Sequence, residues 1–434
     1  MAFGFERIVP RRTTTAPRRR VAAPALCGVL VLVVASLAVT PPGVAVAAGS
    51  AKRSGTVLKI GGLGPLAGFP SADVGVKARL TRANTKHEVK GVTFQYTEYL
   101  DDGSSDATAQ AAAAKLVDQD GVFAIVPSLS LFTPAATLAK ERVPSFGWGA
   151  DGSFCTGSRS SPGYGFAVSG CLAPVLPDRV PATGEPLYGA VRAATGTAAP
   201  TLAVISTATD PGRRFASVQS TAFAAAGFNV VYVKGSLPVP PTNNATAVVQ
   251  DLLLANQGAP PDAVVCLATT ECLFVHQLLV ANNYRGMFQS LLSTDAPIRG
   301  MTDALAAPQY VPFSAGTAAQ ARMLDDVRAV NATATLTPDV VIGYLAADML
   351  VAALRRVVRD DKAVTGANVQ RAAASMTFKV DGLYGPTKYP DSFVRSTQAC
   401  SALVRDTGTS WDVVDPYACT TKTVPSDPRF GAVG

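Results

Sequence analysis

The chain runs to 434 residues, enough for two or three hydrophobic cores, with 48% hydrophobic and only 16% charged residues. Its formal charge of +7 is concentrated in residues 1–47, where six arginines and one glutamate carry +5 and leave the remainder near +2. A near-neutral remainder removes charge as an argument for nucleic-acid binding.

Arg7, Arg11, Arg12, Arg18, Arg19 and Arg20 precede an apolar run over 21–40 and the small-residue pattern Ala45-x-Ala47, which is the layout of a secretory signal peptide over 1–47. The same run is nearly long enough to stay in a bilayer as an anchor. Either way the chain is expected outside the cytoplasm, secreted or held at the cell envelope. Six cysteines follow Cys27: Cys155, Cys171, Cys266, Cys272, Cys400 and Cys419. In an exported chain an even count implies disulfides, and three close couples favour nearest-neighbour bridges. Two histidines and no C-x-x-C provide no zinc set, so no metal is expected.

From Gly55 the pattern alternates. VLKIGGLG reads as a strand entering a glycine turn, 72–84 as a helix and VTFQYTEYL as a strand; Asp106 is placed to cap an alanine-rich helix through Asp118. A strand over 122–126, a helix after Thr133 and the strand VPSFGW follow. After Ser161 four prolines mark an irregular crossing, and then a second train begins: TLAVIST, a helix over 213–226, FNVVYVKG, a helix over 245–255, AVVCLA, a helix over 273–282 and MFQSLLST. Residues 337–358 read as a helix pair and 376–415 as extended. Two βα trains predict an α/β protein of two Rossmann-like lobes with parallel sheets, joined by crossing segments. Residues 56–168 with 313–380 would form one lobe, and 169–312 with 381–430 the other.

In such sheets ligands collect where strands end and helices begin. The stretch FAIVPSLSLFTPAATLA offers Ser128 and Ser130 ahead of a helix that Thr133 and Pro134 are placed to open, a corner suited to a carboxylate or other anion. Serines and threonines also cap helices with no ligand involved.

Three stretches carry a family resemblance: KIGGLGPLAG, FQYTEYLDDGSSDATAQAAAAKLVDQDGVFAIVPSLS with KERVPSFG after it, and GLYGP near the end. Over about 58–386 the chain resembles the type I periplasmic solute-binding proteins of ABC transporters, in the branch of the leucine/isoleucine/valine-binding proteins. The resemblance implies that Ser130 bonds a ligand carboxylate, that Phe69 closes over the ligand, and that the Gly149 carbonyl holds its amine. Asp151 stands where the branch has a carboxylate-holding threonine. Asp295 or Thr294 falls near the acid that pairs with the ammonium, Thr269 and Thr270 replace an aromatic contact, and Asp210-Pro211-Gly212 replaces a tyrosine-glycine. The function implied is capture of a small polar metabolite (an amino acid, amide or small carboxylate) and its delivery, by a monomer without cofactor, to a membrane permease and ATPase complex. A ligand-sensing receptor of the same fold is the alternative. Gly62-x-Gly64-x-x-Ala67 fits a relaxed dinucleotide fingerprint, but Asp101 and Asp102 come too late to receive a ribose, and no catalytic constellation accompanies it.

Overall fold

The computed structural model describes residues 55–433, apart from 176, 241, 243, 292, 295, 296, 396–398 and 432. The signal segment expected over 1–47 and the candidate Asp295 lie outside the described residues. The first sheet contains β1 (Thr56–Gly64), β2 (Val92–Asp101), β3 (Ala124–Ser128), β4 (Ser145–Gly147) and β5 (Gly165–Ala167), with α1 (Ala72–Thr85), α2 (Asp106–Ala114) and α3 (Ala135–Lys140) between them. Its order is β2-β1-β3-β4-β5, parallel throughout.

The short β6 (Arg179–Pro181) and α4 (Glu185–Thr195) lead into β7 (Thr201–Thr207), α5 (Asp210–Ala226), β8 (Asn229–Leu237), α6 (Thr246–Leu253), β9 (Ala263–Leu267), α7 (Thr270–Ala281), β10 (Met287–Ser290) and β11 (Leu305–Ala306). The chain then returns to the first sheet with α8 (Ala318–Val330), α9 (Pro338–Arg359) and α10 (Gly366–Ala373), makes the hairpin of β12 (Thr377–Val380) and β13 (Tyr384–Lys388), and ends in β14 (Cys400–Asp406), β15 (Trp411–Cys419) and β16 (Thr423–Pro425). The second sheet has the order β15-β14-β11-β10-β9-β7-β8, with β14 and β15 antiparallel and the others parallel. The strand β16 pairs with β6.

Each sheet winds outward in two directions from a central pair, β1 and β3 in one and β7 and β9 in the other. At such a reversal the flanking helices lie on opposite faces, which leaves a crevice beyond the carboxyl ends of the strands. The wall behind the first crevice is α1 against α9. These helices pack backbone to backbone, because a Cβ on Gly75 would run into the Val340 carbonyl and one on Gly343 into the Ala72 carbonyl. Below them Phe146, Phe166, Tyr389 and Phe393 share a core, with the Tyr389 hydroxyl bonded to the backbone of Ala167.

The structure corrects several expectations. The stretch over 337–358 belongs to one helix, Pro338–Arg359 of 22 residues, not to a pair; the glycine within it is the site of close approach to α1 and no break. The crossing after Ser161 contains β5, which extends the first sheet by only three residues, and α4. Ser105, not Asp106, caps α2, accepting the Thr108 N–H at 3.3 Å. Gly62 and Gly64 serve packing and no phosphate turn: a Cβ at either would strike the rings of Tyr96 or Tyr99. All three disulfides form as the spacing suggested: Cys155–Cys171, Cys266–Cys272 and Cys400–Cys419.

Candidate functional site

The carboxyl ends of both sheets open onto one cleft. The loops after β1, β3 and β4 form one side, and those after β7, β9 and β10 form the other. The cleft is divided into a larger chamber of about 290 Å³ and a smaller, inner one of about 90 Å³. Phe69 and Trp148 line both and meet edge to face with ring centroids 6.4 Å apart; with Phe215, Leu267, Thr269 and Leu291, which also line both, they lie where the chambers join. Trp148 is held by its indole N–H, which donates to Gln309 Oε1 at 2.9 Å. The larger chamber is lined by Phe215 of α5, Leu267 of β9, Leu291 after β10 and Ile342 of α9, the first three of which also line the smaller one. The two sides touch where the Thr270 hydroxyl donates to the Ala67 carbonyl at 3.4 Å.

The hydroxyl corner belongs to the inner chamber, and its groups are engaged with one another. Ser128 is fully buried, with its hydroxyl 3.3 Å from that of Thr133, which donates to the Ser130 carbonyl. Ser130 Oγ accepts the Phe132 N–H at 2.9 Å. The helix start expected at Thr133 falls later: Pro134 takes the cap position of a six-residue α3 and offers no side-chain cap.

Three carboxylates line the same chamber. Asp151 is 6% exposed and caps a short turn, accepting the Ser153 N–H at 2.6 Å. Burial pushes its carboxyl up to about 6, against hydrogen bonds from Ser153 and the N–H groups of Gly152 and Thr133 that draw it down. Asp102 is 1% exposed and accepts the Ser104 N–H through Oδ1 at 2.8 Å, while its Oδ2 has no partner in hydrogen-bond geometry. Burial raises this carboxyl too, opposed by the Ser130 hydroxyl and the Ser104 N–H. From the second side Glu271, 4% exposed, accepts the N–H and hydroxyl of Thr269 through Oε2 at 3.2 and 3.4 Å. Burial raises Glu271 as well, with its own N–H and Thr269 pulling the other way.

Of the residues singled out from sequence, Phe69 and Thr269 line both chambers, and Ser128, Ser130, Gly149 and Asp151 line the inner one. Thr270 lines neither and bridges the two sides instead. Thr294 borders the larger chamber. The Gly149 carbonyl, which the resemblance assigns to a ligand amine, accepts the Leu172 N–H at 3.0 Å. Sequence reading did not pick out Asp102 or Glu271 as lining residues. Their signal was position: Asp102 directly follows β2, and Glu271 sits in the first turn of α7.

A family profile described as periplasmic binding protein matches residues 56–405. Among solved structures, a branched-chain amino acid ABC transporter protein from Thermus thermophilus with bound valine is 15% identical, with a TM-score of 0.64 over 85% of this chain and 98% of its own. A fatty acid ABC transporter substrate-binding protein from Thermomonospora curvata is 16% identical, with a TM-score of 0.66 over 84% and 93%. A solute-binding protein from R. palustris in complex with benzoate is 13% identical, with a TM-score of 0.61 over 84% and 98%. No curated protein matches the chain. At these identities the likeness establishes a shared α/β fold of two parallel-rich sheets.

Proposed function

Because the chain belongs to the periplasmic binding protein family, whose members bind solutes and are not enzymes, we propose that it captures a small metabolite outside the cytoplasm and hands it unaltered to an ABC importer. The observation that carries this reading is the divided cleft at the carboxyl ends of both sheets, walled from both sides and large enough for a small solute. The solved relatives described as ABC transporter proteins support the transport half of the reading.

The working parts are two lobes that close on the solute. The lobes are taken as 56–168 with 313–380 and 169–312 with 381–430, and the core that Tyr384, Tyr389 and Phe393 share with α9 supports carrying the first lobe on to Phe393. A solute touching both lobes favours the closed form by the difference between its contacts in the two states. A thousandfold preference corresponds to about 4 kcal/mol. Phe69 and Thr269, on opposite sides and lining both chambers, are placed to supply such contacts.

A thermal-shift screen of the mature protein against small metabolites tests the reading, since a ligand bound only by the folded state raises the melting point by mass action. The expected hit is recovered unchanged after incubation. A hit consumed during incubation, or a broad screen with no hit at all, would contradict the proposal.

A further inference from the structure

Resting on that reading, the side chains of the cleft narrow the solute. A carboxylate bound in a cleft needs free donors or a nearby cation. Among the described residues, no lysine, arginine or histidine lines either chamber. Arg214 approaches Gly152 from α5 but lines neither.

Around the inner chamber, donors that a carboxylate would use are engaged by the chain's own acids, whereas the Tyr384 hydroxyl bordering the larger chamber meets no partner in hydrogen-bond geometry. Asp151 takes the Ser153 N–H at 2.6 Å, and the N–H groups of Gly152 and Thr133 draw its carboxyl down, so an internal carboxylate already sits beside the corner read from sequence as an anion site. Glu271 takes the N–H and hydroxyl of Thr269 at the mouth of α7. In the larger chamber Asp339 takes the Ser71 N–H at 2.7 Å and the Thr337 hydroxyl. Acceptor capacity is therefore in surplus. The clearest surplus is at Asp102, an almost fully buried side chain that lines the inner chamber, has the Ser130 hydroxyl and the Ser104 N–H beside it, and has an Oδ2 that meets no donor in hydrogen-bond geometry. A buried acceptor left unpaired is costly, and a ligand donor would remove that cost.

We propose that the cleft selects an amphipathic amine without a free carboxylate, its protonated nitrogen in the inner chamber against Asp102, with Glu271 facing it from the other lobe, and its apolar body in the larger chamber. The ring pair of Phe69 and Trp148 lies where head and body join, and an ammonium against their ring faces is favoured further. This departs from the solved relatives described with bound valine or benzoate, each of which carries a carboxylate.

The experiment is calorimetry on the full mature chain with matched triplets of amine, primary amide and carboxylate built on phenylethyl, indolylethyl and branched-alkyl bodies. The amine is expected to bind best in at least one triplet, by tenfold or more over its carboxylate. Asp102→Asn should weaken that amine at least tenfold and leave the amide within about threefold, with the melting point of the free protein little changed. Glu271→Gln should weaken the amine in the same selective way from the opposite wall. A carboxylate or amide that binds best in every triplet showing binding, equal losses for amine and amide in both variants, or no amine binding in any triplet overturns the inference. The solute-capture reading fails separately, only if the broad metabolite screen also returns no ligand.

Discussion

The two chambers of the cleft share the apolar side chains Phe69, Trp148, Phe215, Leu267 and Leu291 but differ in size and in their buried polar groups. The inner one is small, its polar groups wired to each other and to backbone, with Ser128, Ser130, Asp151 and Asp102 all at or below 6% exposure. The larger one is walled by apolar side chains and by helices that touch through glycines. Such a wired pocket rejects wrong partners through unpaired groups, whereas an apolar chamber supplies area and tolerates changes of shape. Buried carboxylates thus border both ends of one cleft, three at the inner chamber and Asp339 at the larger, with apolar side chains running between them.

That arrangement can be broken from either end. The largest effect is expected from Gly343→Val, which forces a branched side chain against the Ala72 backbone and separates α1 from α9; stability should fall by about 3 kcal/mol or more, read by urea unfolding. Unaltered stability would mean that the wall is not packed as described.

Next comes pH. The folded-state value of Asp151, near 6, lies above its ordinary 3.8, so its neutral form is the one the fold prefers. Its contribution is fully present below pH 3.8 and is lost as pH rises to about 6. The stability difference between wild type and Asp151→Asn should therefore fall by about 3 kcal/mol across that window. A flat difference across it would show that the inner chamber does not desolvate this carboxyl.

Opening the Cys266–Cys272 bridge by a double alanine substitution should cost about 2 kcal/mol, given the short loop that it closes, and should loosen the turn that holds Thr269 and Glu271. Solute affinity measured alongside stability separates the two effects, and retained affinity would show that the turn keeps its shape without the bridge. The smallest effect is Ser130→Ala. Removing the acceptor of the Phe132 N–H should cost about 1 kcal/mol of stability, and solute binding should weaken only a few-fold because this hydroxyl is already engaged within the chain. A loss of a hundredfold in calorimetry would instead make Ser130 a direct ligand contact.

The trains of strands were legible because β-branched runs separated by amphipathic stretches admit few other arrangements. β5 was not, since three residues, Gly-Phe-Ala, carry no period and form a strand only through pairing with β4. The unity of α9 was hidden by its interior glycine, whose reason is a neighbouring helix distant in sequence. At the site, Ser128 and Ser130, read from the strand end, and Phe69, Gly149, Asp151 and Thr269, taken from the family resemblance, all line the cleft. What the sequence could not show was which of their hydrogen bonds the chain would use itself. Asp151 bonding the Ser153 N–H, and Leu172 bonding the Gly149 carbonyl, are pairings set by the loops' three-dimensional path.

The chain has two tryptophans, Trp148 in the cleft and Trp411 on β15, which lines neither chamber. A fluorescence titration with the solute giving the largest thermal shift, run on wild type and Trp148→Phe, asks most directly whether solute enters between the lobes. The account predicts a saturable change in the wild type that vanishes in the variant while the thermal shift persists. A change that survives in Trp148→Phe would place the solute elsewhere and contradict it.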